Sequence, residues 1–223
     1  MRPKLLFLHG GGTNAEIFRI QSGKLATLLN PHFTLVFADG FHESPPGPGV
    51  LPFFDGAGPF RQWMYDYPVM PEVVDWPELD RMAAILETQG PFVGIVGFSQ
   101  GAKAGMLLLR HLERATGGHS EVEFFVSVCG TVPFRGPGTG EAEHEERKAM
   151  YEQSRALGKL KTESLHFIGE SDPYRAESEL LLEEFCDPMS RRVVRFKGAH
   201  HMPSEDAVNK QLARMILQSY EGV

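Results

Sequence analysis

Apolar residues in this chain gather into six short runs: Lys4–Leu8, Thr34–Ala38, Phe92–Val96, Glu123–Cys129, Ser164–Ile168 and Arg192–Phe196. Most lack the polar alternation of a half-exposed strand, so they predict strands buried on both faces. Between them the period lengthens to that of a helix. Ile17, Ile20, Leu25, Leu28 and Leu29 share one face, with a break at Ser22-Gly23. Leu79, Met82, Ala83, Ile85 and Leu86 form a second stripe, opened by Asp75 as a cap and Pro77 in the first turn. Ala102, Met106, Leu107, Leu109 and Leu112 belong to a helix apolar nearly all round, and Gly101, Ala102, Ala104 and Gly105 let it lie close on a sheet. Ala176–Cys186 and a last helix from about Ser204 to Tyr220, with Val208, Leu212, Met215 and Ile216 on one face, complete the pattern.

Strands alternating with helices predict an α/β fold of about six mostly parallel strands with helices on both faces. Two stretches interrupt it. Phe41 to about Asp75 is rich in proline, glycine and aromatics, and a loop that long in a compact domain is usually functional. Gly130 to about Lys161 reads as loop over Pro133–Gly140 and as an exposed charged helix over Glu141–Leu157. Neither a repeat nor a linker divides the chain, so residues 1–223 read as one domain.

Composition narrows the partners. A net charge of −7 argues against nucleic acid and anionic membranes. No apolar run approaches the ~18 residues of a bilayer span. The chain enters a strand at Lys4 without a leader pattern, and its two cysteines, Cys129 and Cys186, have no metal-ligand spacing. Both read as reduced core residues, which suggests a cytoplasmic protein.

The chemistry collects at the carboxyl ends of the predicted strands, where parallel sheets form their sites. Gly97-x-Ser99-x-Gly101 lies between a strand and a helix, the setting of a nucleophile elbow. A serine hydroxyl needs a neutral imidazole to take its proton and a carboxylate to orient that imidazole. Asp172, in a turn after the fifth strand, supplies the carboxylate, and Gly198-Ala199-His200-His201 supplies the base, with His200 preferred over His201. Backbone N–H groups of Gly11 and Gln100 are the candidate oxyanion donors, because His9-Gly10-Gly11-Gly12 has the form of an esterase glycine loop. His9 itself reads as structural. The aromatics Phe60, Trp63 and Tyr65 of the long loop are candidates to line an apolar acyl pocket.

Other readings fit fewer residues. Gly10-Gly11-Gly12-Thr13-Asn14-Ala15, with Asp39 after the second strand, matches a dinucleotide fingerprint but leaves Ser99, Asp172 and His200 without a role. A P-loop fails for want of Gly-Lys-Ser/Thr, and His200 and His201 are adjacent, which suits no metal site. No metal and no cofactor are therefore expected. A binding protein that keeps the fold without turnover is the remaining alternative.

The sequence also resembles the fungal serine hydrolase family related to the human ovarian-cancer-associated gene 2 protein. The resemblance spans nearly the whole chain. It rests on Leu6-Phe7-Leu8-His9-Gly10 with Asn14, Ile17, Phe18 and Gln21; on Gly58-Pro59-Phe60-x-x-Trp63; on Gly97-Phe98-Ser99-Gln100-Gly101-Ala102; on Ser164-Leu165-His166-Phe167-Ile168-Gly169-x-x-Asp172; and on Gly198-Ala199-His200-x-x-Pro203. Ala199 departs from the glycine usual in the last of these. The resemblance implies a small α/β-hydrolase fold without a large cap domain, hydrolysing a small-molecule acyl ester or acyl thioester. Several fungal members release or edit chains on polyketide synthases, which implies carrier-protein-bound substrates and secondary-metabolite biosynthesis.

Overall fold

In the computed structural model, residues 2–65, 77–118, 120–132 and 158–222 are described. The expected cap at Asp75, the loop 133–140 and the charged helix 141–157 lie outside them.

All six expected strands form. β1 (Lys4–Leu8), β2 (Thr34–Ala38), β5 (Phe92–Phe98), β6 (Phe124–Val128), β7 (Glu163–Gly169) and β8 (Arg191–Phe196) make one parallel sheet in the order β2-β1-β5-β6-β7-β8. Two short strands in the long loop, β3 (His42–Glu43) and β4 (Arg61–Gln62), pair antiparallel. Nothing in the apolar pattern announces so short a ribbon. It ties the two ends of the intervening loop together.

The side-chain period of two sends alternate residues of β1 to opposite faces. Leu6 and Leu8 pack with α3 (Pro77–Gln89) and α4 (Gln100–Ala115), while Leu5 and Phe7 pack with α1 (Ala15–Gln21), α2 (Gly23–Leu29) and α6 (Asp206–Glu221). Both faces are covered, so both sets of side chains are apolar. α5 (Arg175–Phe185) adds Leu181 and Phe185 to the first layer. α1 and α2 part at Ser22, as its sequence position suggests: the serine N–H and Oγ both turn back to Phe18 O, at 2.9 and 2.6 Å.

One expectation is corrected. Thr34–Ala38 reads as a fully buried strand, yet Thr34 is exposed and Leu35, Val36 and Phe37 are half-buried. β2 is an edge strand with only β1 beside it, so apolar composition overstates its burial. The opposite edge, β8, carries arginines that reach carboxylates: Arg192 to Glu163 at 2.5 Å and Arg195 to Glu179 at 2.7 Å. No helix among the described residues is long and apolar enough to cross a membrane.

The strand order reverses direction between β1 and β5. At such a switch point the loops leaving two adjacent strands diverge and open a crevice at the carboxyl edge. Gly10–Gly12 follow β1 and Ser99 follows β5, so the fold itself brings the glycine loop beside the serine.

Two buried histidines make the fold sensitive to acid. Burial pushes His9, at the end of β1, down to about 4, and His166, on β7, down to about 3, both from 6.5. Below pH 6.5 the unfolded chain gains protons at both positions and the folded chain does not, so stability falls as pH drops from 6.5 towards 4. The loss should reach on the order of 3 kcal/mol for each histidine at pH 4. Urea midpoints measured from pH 7 to pH 4.5 should fall accordingly, and less so in His166→Leu; a flat profile would contradict this.

Candidate active site

The turn between β5 and α4 is tight enough to dictate its own residues. A Cβ on Gly97 would meet the backbone of Ala102 at 2.5 Å, and one on Gly101 would meet Leu8 O at 2.1 Å. Neither contact is tolerable, so both positions require glycine. Between them Ser99 adopts φ 53°, ψ −119°, a strained conformation for a residue with a Cβ. The strain turns its Oγ out over the carboxyl edge of the sheet.

Two other loops meet it there. His200, in the loop after β8, places Nε2 2.9 Å from Ser99 Oγ and Nδ1 2.8 Å from Asp172 Oδ2. Asp172 lies in the turn after β7, and its Oδ1 accepts the Tyr174 N–H at 2.7 Å. The two loops are themselves joined, because Ser171 N–H donates to Gly198 O at 2.9 Å. The imidazole stands between the rings of Phe98 and Tyr174, with centroids at 5.1 and 4.8 Å. His201 faces elsewhere: its Nε2 accepts the Ala199 N–H at 3.2 Å and its Nδ1 lies 2.7 Å from Met202 O. Of the two adjacent histidines, His200 is the one that bridges Ser99 and Asp172.

The carboxylate is fully buried, which by itself would raise its pKa. Hydrogen bonds from His200 and the Tyr174 N–H outweigh that burial and hold Asp172 below the usual carboxylate range. It therefore stays ionised at neutral pH. Cys129 is itself pushed up to about 12 by burial and by the Asp172 charge, so it remains a protonated donor. Sγ of Cys129, an Asp172 oxygen and a His200 ring nitrogen lie within 4.8 Å of one another. Cys129 and Cys186 are both free thiols.

The glycine loop is fixed from below. His9 is fully buried; its Nε2 accepts the Gly40 N–H at 2.8 Å, which leaves the proton on Nδ1 to meet Gly10 O at 2.7 Å. Gly12 and Thr13 donate their N–H groups to Arg61 O (2.9 Å) and Gly10 O (3.3 Å). Gly11 stands against the Gln100 side chain, where a Cβ would sit 3.4 Å from it. Gln100 opens α4, whose first N–H groups have no partner within the helix. Its side-chain amide accepts the Trp63 N–H (2.8 Å) and donates to Met64 O (3.1 Å), a pinning role that the motif alone does not reveal.

The aromatic expectation needs correction. Trp63 is fully buried and donates its indole N–H to His9 O at 2.8 Å, so it supports the glycine loop from inside. Phe60 is half-buried, with its carbonyl tied to Ser44 N at 2.9 Å, and Tyr65 is 48% exposed against His42. Two cavities of about 430 Å³ each carry Ser99 in their walls, and none of these three aromatics lines either. Val50, Phe98, His200 and Met202 line the first; Gln62, Gln100, Lys103 and Glu177 line the second. An aromatic-rich loop reads as a pocket in sequence, but the large rings were needed to anchor the loop. The residues that do line the space, such as Val50, Tyr174 and Met202, carry no sequence signal beyond proximity to the motifs.

Asp39, which the dinucleotide reading assigned to a ribose, accepts the Ala15 N–H at 2.8 Å and so holds the start of α1. The glycine loop is also closed over by the 45–48 segment, with Gly47 N–H donating to Gly12 O at 2.9 Å.

A family described as Serine hydrolase (FSH1) matches residues 1–212. The chain belongs to that serine hydrolase family. This hydrolase is 39% identical to the esterase FUS5 of Gibberella moniliformis, over 98% of the chain and 88% of that protein. It is 31% identical to the thioesterase FSL2 of Gibberella zeae, over 98% and 93%. Among solved structures, the monoacylglycerol lipase of Paleococcus ferrophilus superposes with a TM-score of 0.62 at 14% identity, covering 98% of the hydrolase and 95% of the lipase, a likeness of fold.

The elbow is testable through its glycines. Gly101→Ala should destabilise the hydrolase by roughly 3 kcal/mol, because the new methyl must displace the β1 backbone. Gly23→Ala, where a Cβ meets nothing within 4 Å, should leave stability unchanged or raise it by about 0.5 kcal/mol. Equal urea midpoints for the two variants would contradict the close packing.

Proposed function

We propose that this chain hydrolyses carboxylic esters or thioesters through an acyl-enzyme formed on Ser99. The observation that supports this best is the unbroken hydrogen-bonded series from Ser99 Oγ through His200 to the ionised Asp172. His200 Nε2 takes the hydroxyl proton as Oγ attacks the acyl carbonyl. Asp172 holds Nδ1–H, orients the ring and stabilises its positive charge. The carbonyl oxygen becomes an oxyanion and accepts from the N–H groups of Gly11 and Gln100. Collapse breaks the bond to the alcohol or thiol, which leaves with the proton from His200. Water then enters and attacks the acyl carbon as His200 takes its proton; the bond to Ser99 Oγ breaks as His200 passes that proton to Oγ, releasing the acid.

The two cavities divide the substrate. The one lined by Val50, Phe98 and Met202 takes the acyl group, and the one lined by Gln62, Lys103 and Glu177 takes the leaving group. Relatives named esterase and thioesterase support both leaving-group chemistries. A thioester role on chains carried by a biosynthetic synthase in secondary metabolism follows from the family resemblance, and the two cysteines carry the cytoplasmic reading. The two free, buried thiols suit a reducing compartment.

Ser99→Ala should lower kcat by on the order of 10⁴-fold or more and abolish labelling by a fluorophosphonate. His200→Ala should behave likewise, whereas His201→Ala keeps turnover. Labelling that survives Ser99→Ala, or loss of activity confined to His201→Ala, would overturn the assignment.

A further inference from the structure

Thr13 closes the glycine loop, and the hydrolytic steps above give this buried threonine no part. Its hydroxyl donates to Gly10 O at 2.6 Å. The Thr13 N–H reaches the same oxygen at 3.3 Å, and the His9 Nδ1–H reaches it at 2.7 Å. Thr13 is fixed in turn from outside the loop, because the Arg61 N–H donates to Thr13 O at 2.6 Å. His9 and Thr13 are both buried, so the Gly10 carbonyl is held on the inner side of the loop. That carbonyl shares a peptide plane with the Gly11 N–H. The peptide is trans, so the two bonds point in opposite directions. A carbonyl turned inward onto Thr13 and His9 therefore turns the Gly11 N–H outward. Outward is where Ser99 stands, since Gly11 and Ser99 line the same two cavities. No described residue accepts the Gly11 N–H, whereas the next one, of Gly12, is taken by Arg61 O at 2.9 Å.

We propose that Thr13 is a positioning residue for the oxyanion: its hydroxyl, by gripping Gly10 O, aims the Gly11 N–H at the charge that develops on the acyl carbonyl. The proposal rests on the acyl-enzyme reading above. A run of three glycines makes such a grip necessary, because residues without a Cβ leave the peptide plane free to rotate. A donor aimed in advance costs no reorganisation when the charge appears, and a small misplacement of it is felt in the rate. Thr13 touches neither substrate nor Ser99 in this role and acts wholly through the Gly10–Gly11 peptide.

The test compares wild type with Thr13→Val and Thr13→Ala, which lack the hydroxyl, and Thr13→Ser, which keeps it. Turnover is measured with a short-chain acyl ester, and affinity with a trifluoromethyl ketone. Ser99 Oγ adds to the ketone carbon as His200 takes the proton, and the ketone oxygen becomes the anion that the Gly11 N–H meets. Thr13→Val and Thr13→Ala should lower kcat by on the order of tenfold or more with KM nearly unchanged, since the donor matters only once charge develops. Ketone affinity should weaken by the same factor, and Thr13→Ser should keep both near wild type. A threonine that only supports the fold would lower the melting temperature and leave kcat and ketone affinity as in wild type. That result, or a loss in Thr13→Ser as large as in Thr13→Val, would overturn the proposal while leaving ester hydrolysis intact. Failure of wild type to turn over any ester or thioester would overturn the reading on which the proposal rests.

Discussion

The contact on which the site depends is between the first turn of α4 and the carboxyl end of β1, where Gly101 lies against the Leu8 carbonyl. No side chain fits between them. That closeness is what makes the reversal at Ser99 sharp, and the reversal puts a hydroxyl above the sheet edge instead of among the helix caps. It also places Ser99 beside Gly10, since a Cβ on Gly10 would lie 3.4 Å from the Ser99 Cβ. One close approach of helix to strand therefore sets Ser99, the glycine loop and their separation together. The strain at Ser99 is sustained by the buried helix behind it, which runs from Gly101 to Arg110 without an exposed residue.

The remaining groups are held by pairing more than by packing. Asp172 accepts from an imidazole and a backbone N–H, which keeps its charge in a place where burial alone would raise its pKa. Phe98 and Tyr174 flank the imidazole, and the Ser171–Gly198 hydrogen bond fastens the Asp172 loop to the His200 loop. Beneath the glycine loop, His9 and Trp63 play the same supporting part through the hydrogen bond from the indole to His9 O. Ser99, Asp172 and His200 thus sit above a set of paired polar groups.

How much of this was legible in the sequence depended on the physical origin of each feature. The six strands and the buried α4 were readable because burial on two faces imposes continuous apolar runs. Ser99, Asp172 and His200 were readable because each follows a strand, and parallel sheets gather such positions at one edge. His200 was favoured over His201 by its place in Gly198-Ala199-His200-x-x-Pro203, and the turn of the loop is what gives it both partners. The exposure of β2 was hidden because sheet order is a long-range property. Trp63 misled for a related reason: a buried ring and a pocket ring look alike until the indole N–H is seen to meet His9 O. Tyr174 acts through a backbone N–H, which leaves no motif.

The central claim is that Ser99 becomes covalently acylated during turnover. Rapid-quench mass spectrometry with an activated acyl ester tests it most directly. The account predicts a transient adduct of one acyl group on the peptide containing Ser99, accumulating with the burst of leaving group and decaying at the steady-state rate. Full turnover with no adduct at any time, or an adduct on Cys129 in place of Ser99, would contradict it.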